Sequence, residues 1–225
     1  MVDNMDSIKK NLELRKTQIK NIDQDVYMYS MGKTACIGAI RHVMSQHPRS
    51  KTSPYGATIM SRYNMLPGSC TPRATRQYSK GRTIEINNLI TSSFSTVLPL
   101  HLYPRTQIYL LADMIQLDGG SRTCAINCIS YCLLKLKLPH IGIPLAVAYG
   151  LNSSKELVLD LNYQEDSKGF ADCPVVFNMP SGKLINLQME GEMTCEQFIR
   201  GFNAAYLAIE KLYNKNFKEV ESNND

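Results

Sequence analysis

Residues 26–84 contain no aspartate or glutamate. The same stretch holds nine lysines and arginines, so the rest of this 225-residue chain carries 16 positive against 20 negative charges. A one-sign segment in a chain of net charge +5 points to a polyanionic partner, with nucleic acid the leading class. Long hydrophobic runs are also missing. No stretch reaches the roughly 18 uninterrupted apolar residues of a membrane span, so no membrane partner is expected. The first residues include Asp3, Asp6, Lys9 and Lys10 and no apolar core, so no signal peptide is expected. The seven cysteines contain no Cys-x-x-Cys pair, and their odd number argues for free thiols in a reducing compartment. Cys124, Cys128 and Cys132 recur every four residues without a nearby histidine, which suits a small apolar helix face better than a metal site. There is no internal repeat and no low-complexity block.

What is present reads as one mixed domain. Apolar patterning predicts strands over residues 26–30, 33–41, 57–65, 106–117, 143–151, 156–161, 171–179 and 183–188. It predicts helices over 83–100, over 121–138, and from Thr194 as an N-cap onward. Residues 42–55 and 66–80 read as long basic loops. The expected plan is an arm over 1–22, a single domain over 23–217 and a polar tail over 218–225. Strands and helices in mixed order argue for a compact α/β or α+β architecture.

Two motifs carry the chemistry. Asp118-Gly-Gly-Ser-Arg-Thr123 lies between a strand and a helix. Glycines there allow a tight turn and a close backbone approach, Ser121 is read as the N-cap, and Arg122 adds charge beside the free N–H groups of the helix start. That combination suits an anion, most simply phosphate, with Gly120, Ser121 and Arg122 lining it. Arg82, placed at a helix start against the dipole, is easier to understand if it faces the same anion. Further on, Asp166 and Asp172 flank a glycine-containing loop. Two carboxylates near a phosphate site suggest acid–base or metal work on a phosphodiester.

These blocks, in this order, resemble the RNase PH family, and most closely its exosome core-subunit type. The resemblance rests on Met31-Gly-Lys-Thr34, Arg62-Tyr-Asn-Met65, Gly81-Arg-Thr-Ile-Glu-Ile86, Tyr103-Pro-Arg-Thr106, Gln116-Leu-Asp-Gly-Gly-Ser-Arg-Thr123 and Leu159-Asp-Leu-Asn-Tyr-Gln-Glu-Asp166 with Asp172. It implies an α/β (α+β) sandwich of RNase PH type, like the second domain of ribosomal protein S5, with mixed sheets packed by helices. It implies phosphorolytic removal of nucleotides from single-stranded RNA 3′ ends, with inorganic phosphate as co-substrate and Mg2+ as a candidate ion on Asp166 and Asp172. By the same resemblance Asp166 is the first candidate for general acid, with Asp172 raising its pKa or holding the metal; the sequence does not divide these roles. Arg62, Arg73 and Arg76 are the expected RNA contacts. The implied partners are other RNase PH-like subunits of a hexameric exosome ring and S1/KH cap subunits, for RNA processing in nucleus (nucleolus) and cytoplasm of a eukaryote, or in the cytoplasm otherwise. A silent ring subunit that threads RNA to a separate hydrolase is the alternative, and a homohexameric transfer-RNA trimming enzyme is a weaker third. The family's Asp-Gly-Arg near the N-terminus is absent. Gly81 stands where a second arginine is usual, so one RNA-facing cation is lost.

Overall fold

Along Thr106–Gln116 buried and half-exposed residues alternate strictly, as in a strand with one face on a core and one toward solvent. This strand anchors the first of two sheets in a computed structural model that describes residues 13–44, 53–70 and 79–222. The first sheet comprises β1 (Thr17–Asp23), β2 (Val26–Met31), β3 (Thr34–Met44), β4 (Thr58–Met65) and β5 (Thr106–Gln116), in the order β1-β2-β3-β5-β4. All neighbours are antiparallel except β4, which runs parallel to β5. A parallel pair needs a long crossover, and helix α1 (Ser79–Ser95) supplies it.

The second sheet comprises β6 (Ile143–Leu151), β7 (Leu157–Leu159), β8 (Ala171–Met179), β9 (Lys183–Leu187) and β10 (Glu190–Gly191). Its order is β10-β8-β6-β7, with β9 also on β8. Every residue of β6 is buried. Helix α2 (Ser121–Lys135) contacts β2, β3 and β5 of the first sheet and β6 of the second, so it lies between the sheets. Helix α4 (Cys195–Asn216) covers β6, β7 and β8 from the outside. Short helices α3 (Tyr163–Lys168) and α5 (Lys218–Ser222) complete the described chain.

Because α2 is enclosed, its residues are chosen for fit rather than amphipathicity. The Cys124 thiol meets the Tyr29 carbonyl, and the Cys128 thiol meets those of Tyr27 and Cys36. A Cβ on Gly38 would lie 2.6 Å from the Cys128 sulfur, so glycine there lets helix and strand touch. The edge of β6 is treated in the same way. β7 pairs only with residues 149–151 of β6, and α2 caps more of the remaining edge. Asn127 Nδ2 donates to the Ala146 carbonyl at 2.9 Å, and the Ala146 N–H donates to Asn127 Oδ1 at 2.8 Å. The Ser130 hydroxyl donates to the Pro144 carbonyl.

Several boundaries differ from expectation. α1 begins at Ser79 rather than 83, taking Gly81 into its first turn, and ends at Ser95 before a 3-10 turn at Leu100–Leu102. α2 ends at Lys135 rather than 138 because Lys137 adopts a left-handed conformation (φ 52°) ahead of Pro139. The short strand expected near Ile19–Ile22 of the arm is present and longer: residues 17–23 form β1, paired to β2. The expected mobile residues 1–12 lie outside the described chain. Residues 218–222 of the polar tail fold as α5, with Phe217 buried ahead of it and the Tyr213 hydroxyl donating to Glu221. Thr194 is the N-cap of α4, accepting from the Gln197 N–H at 3.2 Å in a capping box.

Replacing Asn127 by Leu orphans the Ala146 N–H and carbonyl in the core. Urea unfolding should show a loss of roughly 2–4 kcal/mol, and a loss under about 0.5 kcal/mol would mean that this edge is satisfied otherwise.

Candidate active site

The two motif segments touch. Gly119 and Gly120 both have left-handed φ values, 76° and 63°. A Cβ on Gly119 would sit 2.3 Å from the Leu161 carbonyl oxygen, so only glycine allows this approach. Thr34 stitches the turn from the other side: its hydroxyl donates to the Gly119 carbonyl at 2.7 Å and accepts from the Asp118 N–H at 2.9 Å. The Tyr163 N–H donates to Asp118 Oδ1 at 3.3 Å. Asn162 caps α3 in a capping box with Glu165, which explains why a segment read as a loop is helical and why Asp166 sits on it.

Gly120, not Ser121, is the N-cap of α2, and it makes no side-chain cap bond. Its left-handed backbone turns Ser121 into the first helical residue. Arg122 Nε is buried with no hydrogen-bond partner among the described residues, and the Ser121 hydroxyl is buried facing Tyr63. Tyr63 is fully buried on β4 beside Ser121. Burial pushes its phenol up to about 12, while the nearby Ser121 hydroxyl and the Arg82 charge oppose the rise.

Arg122 is 8 % exposed and is the hub of the charges. Its Nη2 lies 2.6 Å from Glu190 Oε1 and 3.2 Å from Glu85 Oε1, and its Nη1 lies 3.5 Å from Asp172 Oδ2. The Glu85 and Glu190 side chains are 42 % and 65 % exposed, so those pairs are worth little in water and exchange readily for another anion. Asp172 is more enclosed. Burial raises its carboxyl to about 7, and the negative charges of Asp166 and Glu190 add to the rise against Arg122 and Arg82. Asp166 and Arg82 are therefore close enough to act on Asp172. Gly120, Ser121, Arg122, Asp172, Asp166 and Arg82 thus share one locality.

Arg82 sits in the first turn of α1, exposed. Arg62 is exposed on β4, and strand alternation turns it to the face opposite Tyr63, away from Arg122. Arg73 and Arg76 lie outside the described residues. Among the described residues no group of three or more His, Cys, Asp or Glu is placed to hold a metal, so Asp166 and Asp172 would need ligand oxygens from substrate. Two acids were not anticipated. Glu85 stands inside the Gly81–Ile86 block, three residues after Arg82, and by its pattern reads as an ordinary acid in the first turns of a helix. Glu190 lies in an unpatterned stretch and gave no local signal.

Family models described as the 3′ exoribonuclease family, domain 1 and domain 2, match residues 23–139 and 142–207. The chain is 33 % identical over 205 residues to the exosome complex component Rrp41 of Archaeoglobus fulgidus, covering 90 % of this chain and 78 % of that one. It is 32 % identical over 231 residues to the Rrp41 component of Thermococcus kodakarensis, covering 96 % and 92 %. Its fold is similar to rice Rrp46, with a TM-score of 0.79, 18 % identity and coverage of 94 % and 97 %. It is also similar to a chain of the Archaeoglobus fulgidus exosome with RNA bound to the active site, with a TM-score of 0.75, 14 % identity and coverage of 95 % and 98 %.

Asp172 gives the site a pH signature. Its folded value of about 7 lies above the ordinary 3.8, so its contribution to stability is fully present below 3.8 and is lost as pH rises to about 7. Asp172→Asn should therefore gain on the wild type in chemical denaturation as pH rises between those limits, and level off above. A stability difference flat from pH 4 to pH 8 would contradict the raised value.

Proposed function

This chain belongs to the RNase PH family of 3′ exoribonucleases, and on that premise we propose that it is a core ring subunit of an RNA exosome, shortening RNA from its 3′ end by phosphorolysis. The observation that carries the reading is the meeting of the glycine-serine-arginine corner with the Asp166–Asp172 pair around Arg122. Arg122 Nε, buried with no hydrogen-bond partner among the described residues, and the Ser121 hydroxyl belong to that corner.

Inorganic phosphate takes the place of Glu190 and Glu85 on Arg122. It accepts from the Ser121 hydroxyl and the first N–H groups of α2, with Arg82 adding charge. A phosphate oxygen then attacks the last phosphodiester of the RNA. The bond from that phosphorus to the 3′ oxygen breaks, and a nucleoside diphosphate leaves. The 3′ oxygen needs a proton. Asp172, with its carboxyl raised to about 7 by burial and the nearby Asp166 charge, both holds and releases one at neutral pH. A hard cation such as Mg2+ fits this donor set, since it binds one or two carboxylates together with phosphate oxygens. Asp166 and Asp172 would hold it, and it would neutralise charge on the reacting phosphates. Arg62 fits a contact to the RNA backbone further from the reacting end, and Arg73 and Arg76 belong to the same basic segment. The partners proposed are single-stranded RNA 3′ ends, further RNase PH-like subunits closing a hexameric ring, and S1/KH cap subunits.

Two observations favour a silent ring subunit instead. Gly81 removes a cation, and Arg122 already faces three carboxylates. The ring assembled with its partner chains and given single-stranded RNA separates the two readings. Phosphate-dependent release of nucleoside diphosphates, reduced by about 10²-fold or more in Asp166→Asn, supports the enzyme. A well-formed ring with no phosphate-dependent release would leave the silent subunit as the answer.

A further inference from the structure

Arg15 is the most heavily bonded side chain near the site, and it belongs to neither motif. Its Nε donates to Asp160 Oδ2 at 3.0 Å and its Nη2 to Asp160 Oδ1 at 2.7 Å, a two-pronged grip. Its backbone N–H also donates to Asp160 Oδ2, at 3.0 Å. Nη1 then reaches the carbonyl of Asp118 at 2.6 Å, and Nη2 the carbonyl of Leu161 at 3.3 Å. One guanidinium thus holds the turn before the phosphate corner and the segment leading into Asp166.

The surroundings are built to admit it. A Cβ on Gly32 would meet the Arg15 side chain at 2.8 Å, and one on Gly120 would meet Nη2 at 3.1 Å. Both glycines are in the left-handed region. Asp160 has a left-handed backbone as well, with φ 54°, and its side chain is 2 % exposed. A strained backbone of this kind persists only where its surroundings over-determine it. Its N–H is tied to the Ala148 carbonyl at 2.7 Å, so the second sheet holds one side of Asp160 and Arg15 the other.

We infer that Arg15 is a positioning residue: through Asp160, Asp118 and Leu161 it sets the placement of the Asp166 segment relative to the Gly120–Arg122 phosphate corner. It touches no reacting atom in this role. Its catalytic consequence rests on the phosphorolytic reading above, whereas the brace itself does not.

Arg15→Lys keeps the charge but cannot bridge Asp160, Asp118 and Leu161 together. Asp160→Asn keeps the shape and drops the charge. In the assembled ring both variants should lower kcat about 10- to 100-fold, the scale of a small misplacement of catalytic groups. The KM for phosphate should stay within about threefold, because the corner itself is held by α2. Methylguanidinium added to Arg15→Ala should recover part of kcat. Amide hydrogen exchange of residues 118–122 and 160–168 should quicken together in Arg15→Lys, with α4 unchanged, and this readout decides the brace whether or not the ring is active. Unchanged exchange at both segments would overturn the inference. So would an active ring in which both variants keep the wild-type kcat, or lose activity only in step with their unfolded fraction. A wild-type ring with no phosphate-dependent release would instead remove the nuclease reading and leave the brace standing on exchange.

Discussion

Helix α2 has almost no face left for water: thirteen of its fifteen residues are buried between two sheets. A helix so enclosed cannot tilt or slide without opening both sheets, and Asn127 and Ser130 pin it further to β6. Its N-terminus therefore emerges at a fixed point, where β5 ends on one side and β7 ends on the other. Everything at the site hangs from that point. The free N–H groups of the first turn, the Ser121 hydroxyl and Arg122 are placed by packing around α2, and the Gly119–Gly120 turn brings the Asp166 segment to them.

Placing an arginine at a helix N-terminus sets two positive features against each other. In a buried position that arrangement needs anions, and Glu85, Asp172 and Glu190 provide them. The exposed pair, Glu85 and Glu190, screens Arg122 weakly and holds it in place. The enclosed one, Asp172, has its carboxyl raised by burial and by Asp166. The same desolvation that keeps Arg122 oriented thus makes a proton available beside it. On the proposed reading, phosphate grip and proton supply are two results of one buried cluster, not two separate devices.

Much of this was readable from local pattern, and what was not depended on distance in the chain. β6 and β8 fall on the expected residues because each is a continuous apolar run closed by turn residues. Thr194 was recognisable as an N-cap because a capping box is a four-residue event. The convergence of the two motifs was inferable from their chemistry alone, since a phosphate corner and twin carboxylates make sense together. Ser121 was misassigned because Ser is a good N-cap residue in general, whereas the left-handed Gly120 takes that place here. The short helix at 163–168 was hidden behind Asn162, whose capping role shows only once Glu165 is seen to reach back. Arg15 and Glu190 left no trace in the pattern. Their partners lie 145 and 68 residues away, and a single charged residue in a charged stretch looks like solvated surface.

The balance of charge explains why proton and phosphate are tied to each other. Arg82 and Arg122 stand against Glu85, Asp166, Asp172 and Glu190, and Gly81 contributes nothing where the family usually has a cation. Two unit charges 4 Å apart interact by about 4 kcal/mol at an effective dielectric near 20, so an incoming dianion meets real opposition while all four acids are ionised. Two changes relieve it. Glu85 and Glu190, largely in water, swing off Arg122 at little cost. Protonation of Asp172 then removes one negative charge beside the proposed phosphate corner. Phosphate bound there would in turn raise the affinity of Asp172 for that proton, because linkage is reciprocal. On the proposed phosphorolytic reading, the site takes up the attacking anion most readily when Asp172 holds the proton that the leaving oxygen requires.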